Sequence, residues 1–426
     1  MKKLPVAPVA PPARRHLPLA PDVRDLDRQA RPILAVWELT LACDLACGHC
    51  GSRAGKARPD ELTTAEALAL VDQLAALGIV EVVLIGGEAY LRADWLQIIE
   101  RIAARGMQPL LTTGGRRFTR EHATAAARAG LVSASVSVDG LEATHDLQRG
   151  VPGSWRAALD TMAHLREAGI PVSANTQLNR LSMPELPAVL ELLLGHGIHS
   201  WQVQLTVAMG RAADRPEWLL QPYDLLALFP VLGALAARCQ EAGVLLWPGN
   251  NVGYFGPYET ALRGTLPTGH HEGCPAGIGG LGIEANGTIK GCPSLSTATW
   301  AAGSVRDATL VELWQRAAPM RHNRGRGRES LWGYCATCYY ADACKGGCTW
   351  TGESLLGRPG NNPMCHHRAL EMERAGLRER IVPIAPAPGV PFDHARFELI
   401  VEPSETSSSS QAHVAVASST PARPLP

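Results

Sequence analysis

Cysteine placement is where the chemistry of this chain concentrates. Eleven cysteines occur in 426 residues: Cys43, Cys47 and Cys50 in C-x3-C-x2-C spacing, seven between Cys274 and Cys365, and Cys239 alone. They are too few for a disulfide scaffold, and clustered thiols without an export signal read as metal ligands. Three thiolates on one tight loop can ligate three irons of a 4Fe-4S cluster and leave the fourth iron open to a substrate or cofactor. A zinc knuckle with His49 as substitute ligand is the plainer alternative. The second group runs Cys274-x12-Gly287-x4-Cys292, then Cys335-x2-Cys338-x5-Cys344-x3-Cys348, then x16 and Cys365. Seven cysteines exceed one tetrahedral site and fall one short of two. Two cuboidal clusters satisfy the count, one of them incompletely ligated by cysteine; two zinc ribbons are the competing reading, which C-x5-C-x3-C fits less well.

Two further constellations lie where short apolar runs end. Gly86-Gly87-Glu88 offers close backbone approach and a carboxylate that can accept from an ammonium, or else is a plain turn. Ser137-Val138-Asp139-Gly140 is followed by His145-Asp146 and Arg149-Gly150. Asp139 reads there as the cap of the following turn. No residue stands out as a catalytic acid or base.

The elements that must position these residues form a repeating pattern. Apolar or β-branched runs at 33–39, 80–85, 109–113, 131–138, 172–177 and 201–207 alternate with helical patterns near 64–77, 93–105, 119–129, 153–168 and 184–195, several closed by Gly78, Gly106, Gly130 or Gly169. An amphipathic stretch at 222–242 leads into 244–247. Without a dinucleotide glycine fingerprint, this predicts an α/β fold, a partial (β/α)6 barrel over 33–248 with its chemistry at the C-terminal strand ends. Residues 1–32, with seven prolines and seven Lys/Arg, read as a flexible arm. Residues 249–273 read as a connector. The Cys- and Gly-rich region 274–370 reads as metal-held, 371–402 as an extension, and the Ser/Pro-rich 403–426 as disordered.

Taken together, the first cysteine motif after strand one, Gly86-Gly87-Glu88 and the Ser137…Arg149 stretch resemble the radical S-adenosylmethionine (SAM) enzymes. The resemblance implies that Cys43, Cys47 and Cys50 hold a 4Fe-4S cluster whose open iron binds SAM. It implies that Glu88, with Gly86 and Gly87, meets the methionine amino group, and that Ser137 and Arg149 contact the ribose and carboxylate. His49 stands where the family usually has an aromatic residue near the adenine, and Ala89 replaces a frequent proline. The second group matches the SPASM extension of that family, so the resemblance covers about 33–370. From it, Cys335, Cys338, Cys344 and Cys365 would hold a distal auxiliary cluster. Cys274, Cys292 and Cys348 would hold a nearer one, with an open iron or a fourth ligand from His270, His271 or Glu272. The sulfatase-maturating members carry an aspartate after the cysteine equivalent to Cys292; here Pro293 follows, which disfavours formylglycine formation.

The resulting expectation is an oxidoreductase with three 4Fe-4S clusters. It would cleave SAM to a 5′-deoxyadenosyl radical and modify a ribosomally made peptide by cross-link, thioether, epimerisation or decarboxylation. A flavodoxin- or ferredoxin-like electron donor would serve it and, where the leader is presented by a partner, a separate leader-peptide recognition protein. A small-molecule cofactor precursor such as a tetrapyrrole is the alternative substrate, and a zinc-stabilised binding protein the alternative class. Forty Lys+Arg against forty Asp+Glu argue against nucleic-acid binding, and no apolar run approaches the roughly 20 residues of a membrane helix. The start, MKKLPVAPVAPPARR, has Pro5, Pro8, Pro11 and Pro12 where a signal helix would lie, so a cytoplasmic setting is expected. Arg321, Arg324, Arg326 and Arg328 form a basic run, read either as a solvated loop or as a guide for an acidic leader. Cys239 reads as core. Gln202 and Gln204 read as cavity lining, Trp201 as lining or packing, and Tyr339-Tyr340 as a shield for a cluster.

Overall fold

The computed structural model describes residues 19–404. Seven parallel strands follow the predicted runs closely: β1 (Leu34–Glu38), β2 (Glu81–Ile85), β3 (Gln108–Thr113), β4 (Ser133–Ser137), β5 (Val172–Leu178), β6 (Ser200–Leu205) and β7 (Leu245–Pro248). Their intervening helices start and stop on local signals. Thr63 caps the helix Thr64–Leu77 in a reciprocal box with Glu66, and Gly78 closes it at φ 91. In the helix Trp95–Ala104, Trp95, Ile98, Ile99 and Ile102 are buried at helical spacing against the sheet.

The sheet does not stop at the barrel. β8 (Gly280–Ile283) pairs in parallel with β1, and β9 (Thr288–Lys290) and β10 (Gly303–Ser304) continue antiparallel, giving the order β10-β9-β8-β1-β2-β3-β4-β5-β6-β7. Leu281, Ile283, Ile289, Leu310, Leu313, Trp314 and Met320 join the same apolar core as the barrel. The expectation that 274–370 lacks an apolar core is therefore corrected for its first half. Its first half is welded to the barrel by main-chain bonds and apolar burial, and only the later stretch around Cys335–Cys365 has little core. The connector is likewise packed: Val252, Tyr254 and Asn251 are buried.

The described part of the N-terminal arm, 19–32, is docked. Asp27 is buried and ion-pairs Arg24 at 2.9 Å, Arg321 at 3.0 Å and Arg324 at 3.3 Å. Burial works against its charge, but the Arg24 hydrogen bonds and the Arg321 charge bring it down to about 2. The middle of the basic run is thus not a solvated loop, whereas Arg328 is exposed and pairs with Asp342 at 2.7 Å. Arg324 and Arg326 are buried, with Arg324 also donating to Gly277 O and Trp314 O. Residues 1–18 and 405–426, and with them most of the arm and tail readings, lie outside the described residues.

β11 (Leu377–Ala385) and β12 (Arg396–Pro403) form a separate hairpin. One helical stretch, Pro216–Glu241, is apolar and long enough to cross a membrane by composition, and half of it is buried. Cys239 sits on it as a core residue, as expected.

Side chains on the sheet alternate between the helices and a chamber. Trp201 is fully buried on the helix side, its Nε1 donating to Thr176 Oγ1 at 2.8 Å, so it packs and does not line the chamber. The other face carries two cross-strand rows. One runs Thr112, Ser135, Ser173, Ser200, Leu245, and the next Ser137, Asn175, Gln202, Trp247; Gln177 pairs with Gln204 one step further.

Candidate active site

The first cysteine loop is clamped from both sides. Glu61 Oε1 accepts from Leu41 N at 2.9 Å and Arg58 N at 2.9 Å, and Cys43 N donates to Gly55 O at 3.1 Å. From the end of β2, Gly87 N donates to Thr40 O and Glu88 N to Ala42 O, both at 2.8 Å. A Cβ on Gly87 would stand 2.1 Å from Ala42 O, so the glycines serve close approach to the cysteine loop itself. From the helix Glu142–Arg149, Gln148 O and Arg149 O accept from Gly48 N and Ala46 N. Burial and the nearby Glu88 carboxylate push the Cys43 thiol up to about 12, and burial pushes Cys47 up to about 11. Thiols held this way ionise readily only when a cationic centre compensates.

Around them the structure gathers the polar residues singled out in the sequence. Glu88 is buried; Thr113 Oγ1 and Gly114 N (2.7 Å) donate to it, and burial raises it to about 7. One oxygen of Glu88, one of Asp44 and Cys43 Sγ lie within 4.8 Å of one another. Arg149 Nη1 lies 3.8 Å from Cys47 Sγ, and Nη2 pairs with Asp139 Oδ2 at 2.7 Å. His49 Nε2 meets the same oxygen at 3.1 Å, and Asp139 Oδ1 accepts from Gln177 N. Asp139 is therefore no turn cap; Glu185 accepts from Leu141 N and Thr144 Oγ1 in that place. Burial opposes the Asp139 charge, but the Arg149 guanidinium and His49 hold it well below the carboxylate range. Ser137 ends β4 in the chamber row. Several buried nitrogens here have no partner: Arg149 Nε, His49 Nδ1, His145 Nε2 and Arg211 Nη2. Such a shell is built for a polar ligand bearing carboxylate and hydroxyl groups.

The seven later cysteines fall into two groups. Cys335, Cys338, Cys344 and Cys365 line one small cavity together with Tyr254, Phe255 and Tyr340. Cys274, Cys292 and Cys348 meet elsewhere. The Cys274 and Cys348 thiols act on each other, which draws Cys274 down against burial and pushes Cys348 up. Trp350, Cys274 and Cys292 all pack against the buried cluster of Ala276, Leu295 and Trp300. The helix Thr349–Leu356 starts directly after Cys348, and the main-chain N–H groups of Thr349 and Thr351 point at Cys274 and Cys348, a setting that favours thiolate. His271 lies over the Tyr254 ring at 4.2 Å and His270 beside Phe255.

Sulfur spacing bears on the metal. Four thiolates on one tetrahedral zinc stand roughly 3.8 Å apart, given Zn–S bonds of about 2.3 Å. Among the described residues no three cysteine sulfurs come within 4.8 Å of one another. The sets suit a core larger than a single ion.

Tyr254 and Arg211 were not singled out in the sequence. Arg211 follows a strand end, where such folds concentrate function, and that placement was a usable signal. Tyr254 sits in an aperiodic connector that offered none. Of the aromatic pair, Tyr340 lines the cavity and stacks on Phe255 at 4.3 Å, whereas Tyr339 is exposed and shields nothing.

Comparison with known proteins agrees with this geometry. Residues 37–193 match the model of the radical SAM superfamily, and residues 274–339 match the SPASM iron–sulfur cluster-binding domain. The chain belongs to the radical SAM superfamily and carries a SPASM domain; it is a radical SAM enzyme that uses SAM and iron–sulfur clusters. It is 30% identical over 358 residues to the AdoMet-dependent heme synthase of Oleidesulfovibrio alaskensis, covering 79% of this chain and 87% of that one. It is 28% identical to the mycofactocin maturase MftC of Mycobacterium tuberculosis, over 87% of this chain and 90% of that one. In fold it resembles SuiB of Streptococcus suis bound to S-adenosylmethionine, with a TM-score of 0.62, 16% identity and coverage of 80% and 78%.

Proposed function

We propose that the chain holds three 4Fe-4S clusters and modifies a peptide within the chamber. Cys43, Cys47 and Cys50 would hold the first cluster, leaving one iron for SAM. Cys335, Cys338, Cys344 and Cys365 would hold the distal auxiliary cluster, and Cys274, Cys292 and Cys348 the nearer one. When bound, the first cluster supplies the electron that cleaves SAM to a 5′-deoxyadenosyl radical able to abstract hydrogen from carbon. The chain's own residues position the cofactor. Glu88 accepts from the methionine ammonium, Gly86 and Gly87 bring the end of β2 against the cysteine loop, and Ser137 faces the ribose. His49 would offer its ring to the adenine, and Arg149, fixed by Asp139, would offer its unpartnered Nε to the carboxylate.

The observation that carries the peptide reading is the lining of the chamber. Asn175, Gln177, Gln202 and Gln204 stand as paired amides across β5 and β6, each offering a donor and an acceptor to a peptide backbone. The neighbouring cations are committed: Arg58 to Glu38 and Glu284, Lys290 to Glu284, and Arg53 to Asp214 and Asp393. Arg211, with its unpartnered Nη2, can take a single carboxylate. A substrate rich in amides and poor in negative charge fits better than a polycarboxylate. The heme synthase relative supports a tetrapyrrole as second reading. The test is anaerobic reconstitution with iron and sulfide, then dithionite, SAM and either a precursor peptide encoded beside the gene or an iron tetrapyrrole. A mass change in the peptide, coupled to 5′-deoxyadenosine, is expected. Coupled turnover of the tetrapyrrole alone would replace the peptide reading.

A further inference from the structure

The turn joining β11 to β12, residues 386–395, packs against the loops that follow β1 and β6 and against β9. Its Phe392 is buried, with the ring centroid 3.6 Å from Lys290 Nζ. Lys290 belongs to the chamber face of β9: its neighbour Ile289 enters the helix-side core, while Lys290 pairs with Glu284 at 3.0 Å on the other side. Main-chain bonds fasten the turn to two site loops. Phe392 N donates to Gly51 O at 3.1 Å, directly after Cys50, and Gly210 N donates to Asp393 O at 2.8 Å, in the turn after β6. Arg53 ties all three segments together, with Nε on Asp393 at 2.8 Å, Nη1 on Asp214 at 2.6 Å and Nη2 on Gly210 O at 2.9 Å.

Backbone conformation marks this contact as one held by its surroundings. Arg53 and Phe392 have φ of 50° and 58°, the left-handed region that bulky side chains avoid. The position is also telling. Met209, bridged to His394, accepts from Trp350 Nε1 at 3.3 Å, and Trp350 packs on the cluster of Ala276, Leu295 and Trp300 that Cys274 and Cys292 also pack against. The turn therefore stands between the first cysteine loop and the nearer auxiliary set. A substrate within reach of both must occupy that interval.

We propose that Phe392 is a specificity-determining gate of the chamber: its ring fills the space beside Lys290 until a substrate displaces it, and the Arg53–Asp393 pair is the latch. The turn swings as a strap, and release of the left-handed Phe392 offsets part of the cost of opening. A substrate must then present a group that takes the place of the phenyl ring. This inference rests on the chamber reading above.

The test uses reconstituted enzyme and two variants. Asp393→Asn removes the charge of the latch but keeps the acceptor for Gly389 N and Val390 N. Hydrogen exchange of the amides in 386–396 should rise roughly tenfold, as for loss of one charge-assisted bond, while β5 amides stay protected. Phe392→Gly removes both ring and strain, and abortive 5′-deoxyadenosine formation with SAM and dithionite alone should rise several-fold as reductant gains entry. Unchanged strap exchange in the first variant together with unchanged abortive cleavage in the second would overturn the gate. Wild-type protein that exchanges as described but never cleaves SAM would overturn the proposed function instead, and the strap exchange would still decide the latch.

Discussion

Asp27 and Asp139 show how single buried carboxylates organise this molecule. Asp27 faces three guanidiniums, and removing its charge leaves Arg324 buried and uncompensated. Asp27→Asn should destabilise the protein by about 3 kcal/mol, read as a lowered denaturant midpoint. The sign of its pH dependence follows from its lowered pKa. The contribution is fully present above the ordinary carboxylate range, near 4, and fades as pH falls through about 2. An acid titration of wild type and Asp27→Asn should converge at the acid end; a constant gap would refute it. Neither aspartate was readable in sequence. An Asp-Gly pair signals a turn, and what makes Asp139 an anchor is His49, ninety positions earlier, and Arg149 on the next helix. The cysteine partition, by contrast, came from the resemblance to the SPASM extension, since spacing alone left two clusters and two zinc ribbons open.

Strands and helices were the most legible level. Apolar or β-branched runs and glycine stops located β1 to β6 to within two residues, since each is decided by its own sequence. Pairing partners are not local, so the continuation of the sheet through β8 to β10 escaped notice behind the glycines and cysteines of that region. The cross-strand amides give a prediction at this scale. Replacing Gln202 and Gln204 together with Ala should leave SAM cleavage intact and raise KM for a peptide substrate by roughly tenfold or more, as expected when two hydrogen bonds of about 1 kcal/mol each are lost. Equal losses in 5′-deoxyadenosine formation without substrate would place these residues with the cofactor instead. The cysteine loop gives another. Cys43→Ala, Cys47→Ala and Cys50→Ala combined should abolish SAM cleavage and remove about four irons, with the two other sets still loading. Loss of all iron would mean that the ligand sets are wrongly divided.

Across the whole molecule, stability is unevenly spread. The barrel and the strands β8 to β10 share one apolar core, whereas the stretch from Cys335 to Cys365 encloses a cavity walled by thiols and rings. Chelation of iron should therefore open that stretch to protease well before the barrel, with first cuts between 328 and 365. Simultaneous loss of both regions would contradict this division. One feature reaches across it. The Tyr254 hydroxyl accepts from Cys348 N at 2.8 Å, while its carbonyl receives Cys365 Sγ at 3.7 Å and its ring walls the distal cavity. Organising either auxiliary set thus fixes a strut on which the other is built. In a cell short of iron, maturation should proceed as a paired event, leaving chains whose two auxiliary stations are both furnished or both bare, with few caught halfway.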